Sequence, residues 1–209
     1  FPYAKISVFV LINFNFYRNI YKIIKFIGTP LFRLIYLPRS YGKNNIPKNG
    51  SVILAGNHTS VLDALIMVST PKRTVHMMAK KELFESKFTN FFFRSMGCIP
   101  VNRSIHDKDA KNEAVEVLKN NEVLGIFPEG TVNKTNEIVL PFKYGAVSFA
   151  KKTNAYIVPF AITGKYKIFR RSIKITYGKP YKVKQDLEVE NNRLMNTVKR
   201  MIKEGNDKN

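Results

Sequence analysis

Apolar residues follow two different rhythms along this chain, and the change falls near residue 50. From residue 4 to residue 37, Ile, Leu, Val, Phe and Tyr dominate, interrupted by Lys5, Arg18, Lys22, Lys25 and Arg33. No unbroken apolar run reaches the roughly 18–20 residues that a spanning helix needs. The longest stretch, Ile6 to Tyr17, is interrupted by Asn13 and Asn15. This mixture predicts two helices lying in a membrane interface, broken near Gly28–Pro30. An ordinary pair of core helices is the plainer alternative. No small-residue cleavage site follows the segment, so a cleavable leader is not expected. The chain opens on Phe1 rather than Met, which predicts a natural N-terminus that is missing or trimmed. Residues 38–50, with Pro38, Gly42, Pro47 and Gly50, read as a connector.

Beyond the connector, short apolar runs alternate with amphipathic stretches. Residues 51–56, 74–79, 98–101, 123–127, 156–162 and 173–177 read as strands. Helices are expected over 60–69, 82–96, 107–120, 142–152 and 187–203, with Ala110, Ala114, Val117 and Leu118 at helical spacing in the third. This order predicts an α/β fold with a largely parallel central sheet flanked by helices, preceded by the N-terminal membrane-interface helical pair. The expected division is residues 1–37 for the membrane-associating helices and 38–209 for the α/β domain. Pro159, inside the run Ile157–Ile162, predicts an edge strand or a bulge there.

Composition narrows the function classes. A chain of 209 residues suits one α/β domain, and 44% hydrophobic content excludes global disorder. The single cysteine, Cys98, excludes an internal disulfide framework and a Cys-based zinc site. The three histidines, His58, His76 and His106, are widely spaced, and no metal is expected. A formal net charge of +20 calls for an anionic partner, either nucleic acid or an anionic membrane surface. That charge is uneven: residues 1–81 carry twelve Lys or Arg and one acid, Asp63.

Asp63 stands five residues after His58, where a buried strand turns into a helix. Such a turn lets the two converge although a regular helix does not. A carboxylate on one imidazole nitrogen fixes the tautomer and raises the basicity of the other, giving a general base for a hydroxyl. The same stretch also reads as a capping box, with Ser60 as the N-cap and Asp63 completing it. A second cluster, Phe127-Pro128-Glu129-Gly130-Thr131, follows another strand, and groups beyond carboxyl strand ends meet at the ligand crevice of such sheets. By itself it is an ordinary Pro-Glu-Gly-Thr turn. Lys80, Lys81, Arg103, Lys134 and Lys143 sit beyond strand or loop ends, where cations bind phosphate. Solvated surface charge is the default reading for any single lysine among them, and Arg103 is the strongest phosphate-binding candidate of the set.

Together these residues resemble the glycerolipid acyltransferase family, and within it the bacterial 1-acyl-glycerol-3-phosphate type. The blocks that carry the likeness are Asn57-His58-x-Ser60-x-x-Asp63, Gly97 to Arg103, Phe127 to Thr131 and Val158 to Ile162, in the family's order. Residues 79–84 match as well, and the resemblance spans about 45–180. It implies transfer of a fatty acyl group from acyl-CoA or acyl-carrier protein to the free hydroxyl of a lysophospholipid, making phosphatidic acid. His58 is then the base and Asp63 its orienter. Lys80, Arg103, Glu129, Gly130 and Thr131 would bind the acceptor and its phosphate. No cofactor beyond the acyl donor is implied. The partners are membrane lipids, met from the cytoplasmic side of the cell membrane, and no nucleic acid is expected. One position departs from the pattern: Val132 stands where the family carries Arg, leaving phosphate binding to Lys134 or Lys143, or a different acceptor headgroup. A related acyltransferase with another lysolipid or amino-lipid acceptor is the second enzyme reading. A nucleic-acid-binding module is the non-enzyme reading, and it leaves the apolar N-terminal segment unexplained.

Overall fold

The computed structural model describes residues 2–102 and 107–207, with side chains from residue 19 onward. Strands β1 (Arg39–Tyr41), β2 (Val52–Gly56), β3 (Val75–Lys80), β4 (Ile99–Val101), β5 (Val123–Ile126), β6 (Tyr156–Gly164) and β7 (Ile173–Tyr177) form one sheet. Their order is β1-β7-β6-β2-β5-β3-β4, parallel throughout except for the β6–β7 pair. The helices are α1 (Pro2–Tyr36), α2 (Asp63–Ser69), α3 (Lys87–Ser95), α4 (Lys108–Lys119), α5 (Gly145–Thr153) and α6 (Leu187–Asn206).

Side chains alternate across a strand, so a strand covered on both faces is apolar at every position. β2 shows this directly. Ile53 and Ala55 pack with Ala114, Leu118, Ala146 and Leu194 from α4, α5 and α6. Val52 and Leu54 pack with Tyr21 and Phe32 from α1 and with Ile66 and Met67 from α2. The sheet is therefore the middle of three layers. Two helix starts are set by side-chain caps: Ser86 Oγ accepts the Thr89 N–H at 3.0 Å, and Asp107 Oδ1 accepts that of Ala110 at 3.0 Å. Asp107 Oδ2 also accepts the Asn102 N–H at 2.9 Å, joining the two sides of the undescribed stretch. These bonds, that from Ala110 first, hold its carboxyl below the usual range.

Several expectations need correction. The N-terminal segment is one helix, not a pair broken at Gly28–Pro30. Proline in a helix interior costs about 3 kcal/mol, but the helix is pinned on both sides of Pro30. Lys25 Nζ donates to the carbonyls of Pro71 (2.7 Å) and Arg73 (2.9 Å), and Arg33 donates to that of Ser69 at 2.9 Å. The connector contains a strand, β1, formed by pairing with β7 rather than by any apolar alternation of its own. The helix expected over 82–96 is a 3₁₀ turn, Lys81–Phe84, followed by α3, because Ser86 caps a fresh start. The helix expected from residue 60 begins at Asp63. β6 is an interior strand, so Pro159 does not mark an edge. It does mark a bulge: Phe160 faces Tyr177, yet Ile157 faces Tyr181, leaving one extra residue on the partner side. Pro159 lies beside that irregularity, where its missing N–H interrupts no ladder bond, and its carbonyl accepts from Gly178 at 2.8 Å.

Candidate active site

β2 ends at Gly56 and α2 begins at Asp63, so residues 57–62 form the turn between them. Neighbouring elements fix this turn. The Asn57 side chain is buried and extends the β2–β6 pairing: its Nδ2 donates to the Ile162 carbonyl at 2.9 Å and its Oδ1 accepts the Ile162 N–H at 2.7 Å. From the loop after β5, Glu129 Oε1 accepts the His58 N–H at 2.7 Å, while the Asn133 N–H donates to the His58 carbonyl at 2.7 Å. The Phe127 ring stacks on the imidazole at 4.0 Å between centroids and 10° between planes. His58 is thus held by its backbone and by one ring face before its nitrogens are considered.

His58 Nδ1 lies 3.1 Å from Asp63 Oδ2. The same oxygen accepts the N–H groups of Thr59 at 2.5 Å and Ser60 at 2.8 Å, and Oδ1 accepts the Tyr166 hydroxyl at 2.8 Å. Asp63 is fully buried, and these donors replace the water it has lost. The bond to the Ser60 N–H is half of a capping box, so the two readings of this motif are met by one carboxylate. The other half is changed: Ser60 Oγ accepts from Leu62 at 3.2 Å, and Leu62 occupies the N-cap position without a side-chain cap. With a carboxylate on Nδ1, that nitrogen bears the proton and Nε2 presents its lone pair. Tyr166 was not foreseen. It lies 103 residues from Asp63, in a loop with no motif of its own. Burial first, then the charge of Asp63, pushes its phenol far above the ordinary value, so it remains a donor.

A cavity of about 710 Å³ opens beside this pair. His58, Lys80, Asn102, Asp107, Lys111, Thr131 and Lys143 are its polar lining, and Met77, Leu83, Phe93, Val101, Ile126 and Val132 are among its apolar walls. Gly130 has φ +71°, which favours glycine, and a Cβ there would stand 3.0 Å from Lys143 Cε and Nζ, so a side chain would also nudge the end of that lysine. Lys80, at the end of β3, is half exposed and lies 3.2 Å from Glu82. Lys134 does not line the cavity, whereas Lys143 does. Glu129 stands behind the wall, buried, with Oε2 accepting the Leu140 N–H at 2.7 Å. Its two oxygens therefore clasp the His58 turn to the 140 region. Burial pushes its carboxyl up, and the Leu140 and His58 N–H groups oppose that rise. Arg103 lies outside the described residues. His76 is apart from the site, against the Gly97 carbonyl at 3.1 Å. Cys98 lines the cavity with its thiol pushed up to about 12 by burial, as suits a packed group. Among the described residues, no group of three or more His, Cys, Asp or Glu side chains is placed to hold a metal ion.

A family model described as Acyltransferase matches residues 38–163. A 1-acyl-sn-glycerol-3-phosphate acyltransferase of Bacillus subtilis is 33% identical over 145 residues, covering 67% of this chain and 71% of that protein. One from Borreliella burgdorferi is 35% identical over 139 residues, covering 66% of this chain and 55% of that protein. The chain thus spans about half the length of the second relative. The crystal structure of the 1-acyl-sn-glycerophosphate (LPA) acyltransferase PlsC from Thermotoga maritima superposes with a TM-score of 0.73 at 26% identity, covering 88% of this chain and 78% of that one.

Proposed function

The chain belongs to the acyltransferase family, and from that premise we propose that it acylates the sn-2 hydroxyl of 1-acyl-glycerol-3-phosphate to give phosphatidic acid. The donor is a fatty acyl thioester of coenzyme A or of acyl-carrier protein. The observation that carries this reading is His58, backed by buried Asp63, in the wall of a largely apolar cavity that Lys80, Lys143, Gly130 and Thr131 also line. The names of the curated relatives and of the PlsC neighbour support the acceptor.

In the proposed reaction, His58 Nε2 takes the proton of the acceptor hydroxyl as its oxygen attacks the thioester carbonyl. The C–S bond then breaks, and the thiolate leaves with the proton that His58 carried. Asp63 holds the imidazole in its tautomer and balances its charge, as a carboxylate does for a catalytic histidine elsewhere. Among the described residues no serine or cysteine side chain hydrogen-bonds the His58 ring, and the proposed transfer is direct. Arg103, Lys80 and Lys143 supply cations for the acceptor phosphate, and the apolar walls take an acyl chain.

The acceptor sits in a leaflet, so the enzyme works attached to the membrane from its cytoplasmic side. α1 has the faces for this. Tyr21 and Phe32 are buried on the sheet, while Ile23, Phe26, Ile27, Leu31 and Leu34 lie exposed on the opposite side. Among the described residues no helix is long and apolar enough to cross a membrane, and the proposed attachment is interfacial.

The test is a panel of lysolipids offered with each thioester donor, run on wild type and on His58→Ala. A positioned base contributes about 10²- to 10⁴-fold, so the variant is expected to lose at least a hundredfold in turnover on 1-acyl-glycerol-3-phosphate. Near-wild-type turnover in a folded His58→Ala protein would sink the mechanism. Preference for another lysolipid would move the acceptor.

A further inference from the structure

Residues 165–171, between β6 and β7, read Lys-Tyr-Lys-Ile-Phe-Arg-Arg. Lys167, Arg170 and Arg171 are exposed, and no carboxylate among the described residues forms an ion pair with them. Ile168 and Phe169 are 61% and 68% exposed at the tip. The tip is also held in an unusual shape. Phe169 has φ +54°, a region that bulky residues seldom occupy and that suits Asn far better. Its N–H donates to the Ile35 carbonyl of α1 at 2.6 Å, and Ser172 Oγ closes the base of the loop on the Lys165 carbonyl at 2.7 Å. An aromatic ring in a costly conformation, pointed at water and ringed by three unpaired cations, gains nothing in solution.

The geometry points to this loop as a second bilayer contact, in which Ile168 and Phe169 enter the interface and Lys167, Arg170 and Arg171 take anionic phospholipid headgroups. This deepens the membrane-bound reading above and rests on it. The charge is complementary to such a surface. The loop is bonded to the last turn of α1, where Leu31 and Leu34 are exposed, so the two apolar patches adjoin. An acidic protein or a nucleic acid accounts for the cations and leaves Ile168 and Phe169 without a purpose. The loop also reaches the site: Tyr166 donates to Asp63, and its ring meets that of Tyr36 edge-on at 5.6 Å. A loop seated on the bilayer thus carries, in its own Tyr166, a hydrogen-bond donor to the carboxylate that orients His58.

Flotation of the full chain with vesicles of phosphatidylcholine, alone or with one-third phosphatidylglycerol, tests this. Ile168→Ser/Phe169→Asn removes the apolar tip and keeps every charge, and Asn suits the positive φ. It is expected to lower partition onto anionic vesicles about tenfold. Lys167→Gln/Arg170→Gln/Arg171→Gln is expected to lower it about a hundredfold on anionic vesicles and to leave neutral ones unchanged. Both variants should match wild type by circular dichroism and in turnover of a short-chain, water-soluble acceptor. Two folded variants that partition as wild type does would overturn the loop proposal and leave the acyltransferase reading standing. A tip variant with full affinity beside a charge variant without it would reduce the loop to a polyanion site and overturn insertion. Wild-type protein that stays soluble with both vesicles overturns both membrane readings, while absent turnover on every lysolipid counts against the activity alone.

Discussion

A carboxylate wholly out of water must have its lone pairs filled, and Asp63 fills them from its own turn, from His58 and from Tyr166. An amide can keep its oxygen toward the Thr59, Ser60 and His58 donors, but its NH2 then faces the Tyr166 hydroxyl, which loses its acceptor, and one amide N–H stays buried without a partner. Asp63→Asn is therefore expected to lose stability as well as turnover, by about 1–3 kcal/mol for an unsatisfied buried group, whereas His58→Ala, which leaves Asp63 its three other donors, should lose turnover with a smaller loss of stability. Thermal unfolding beside the assay reads both, and equal melting losses would make His58 structural too. Cys98 offers a second test. A thiol pushed up to about 12 holds less thiolate at any given pH, on the order of 10⁻⁴ at pH 8, and only the thiolate reacts. Its alkylation rate should climb about tenfold per pH unit through pH 10, and a plateau near pH 9 would mark an ordinary thiol. The His58–Asp63 pair was legible because its five-residue spacing is local. The clasp by Glu129, 71 residues away, was not, because its partners are backbone N–H groups that any residue carries.

At the scale of elements, the strands were legible because a sheet covered on both faces needs unbroken apolar runs, as residues 52–55 and 123–126 supply. What escaped depends on partners far along the chain. β1 is Arg-Ser-Tyr, with no pattern of its own, and exists through β7. Pro30 is a local stop signal outweighed by the anchors of Lys25 and Arg33 on the 69–73 segment. The membrane-facing and core readings of α1 apply to opposite faces of one helix, and truncation separates them. Removing residues 1–37 takes Tyr21 and Phe32 out of the core and should unfold or aggregate the protein. Removing residues 1–18 spares both and should leave a folded protein that still unfolds cooperatively, its circular dichroism spectrum losing only the helical signal of the deleted turns. A fully folded protein lacking 1–37 would show that the α1 contacts carry little stability.

For the whole molecule, a charge of +20 and an apolar helix face act on a bilayer through different laws. Screening reaches the first: the Debye length falls from about 10 Å at 0.1 M salt to about 3 Å at 1 M. Burial of apolar surface is not screened. Binding to anionic vesicles is therefore expected to weaken across that range and to persist at the upper end. Complete release at 1 M, with tight binding to DNA at low salt, would favour the nucleic-acid reading instead.

The bond between Asn45 and the Tyr177 carbonyl joins residues 132 apart, at the seam where β1 lies on β7. On the ribosome these partners are made at different times. At 5–20 residues per second, roughly 7–26 s separate them. During that interval α1 is complete, and much of the sheet it will cover, including β6 and β7, has yet to be synthesised. Tyr21 and Phe32 then lack the sheet that buries them, so on the membrane-bound reading proposed above a lipid surface is open to the nascent segment before its own fold is. Ribosome-bound chains arrested near residue 100 should accordingly co-sediment with anionic vesicles, placing membrane capture ahead of closure of the sheet.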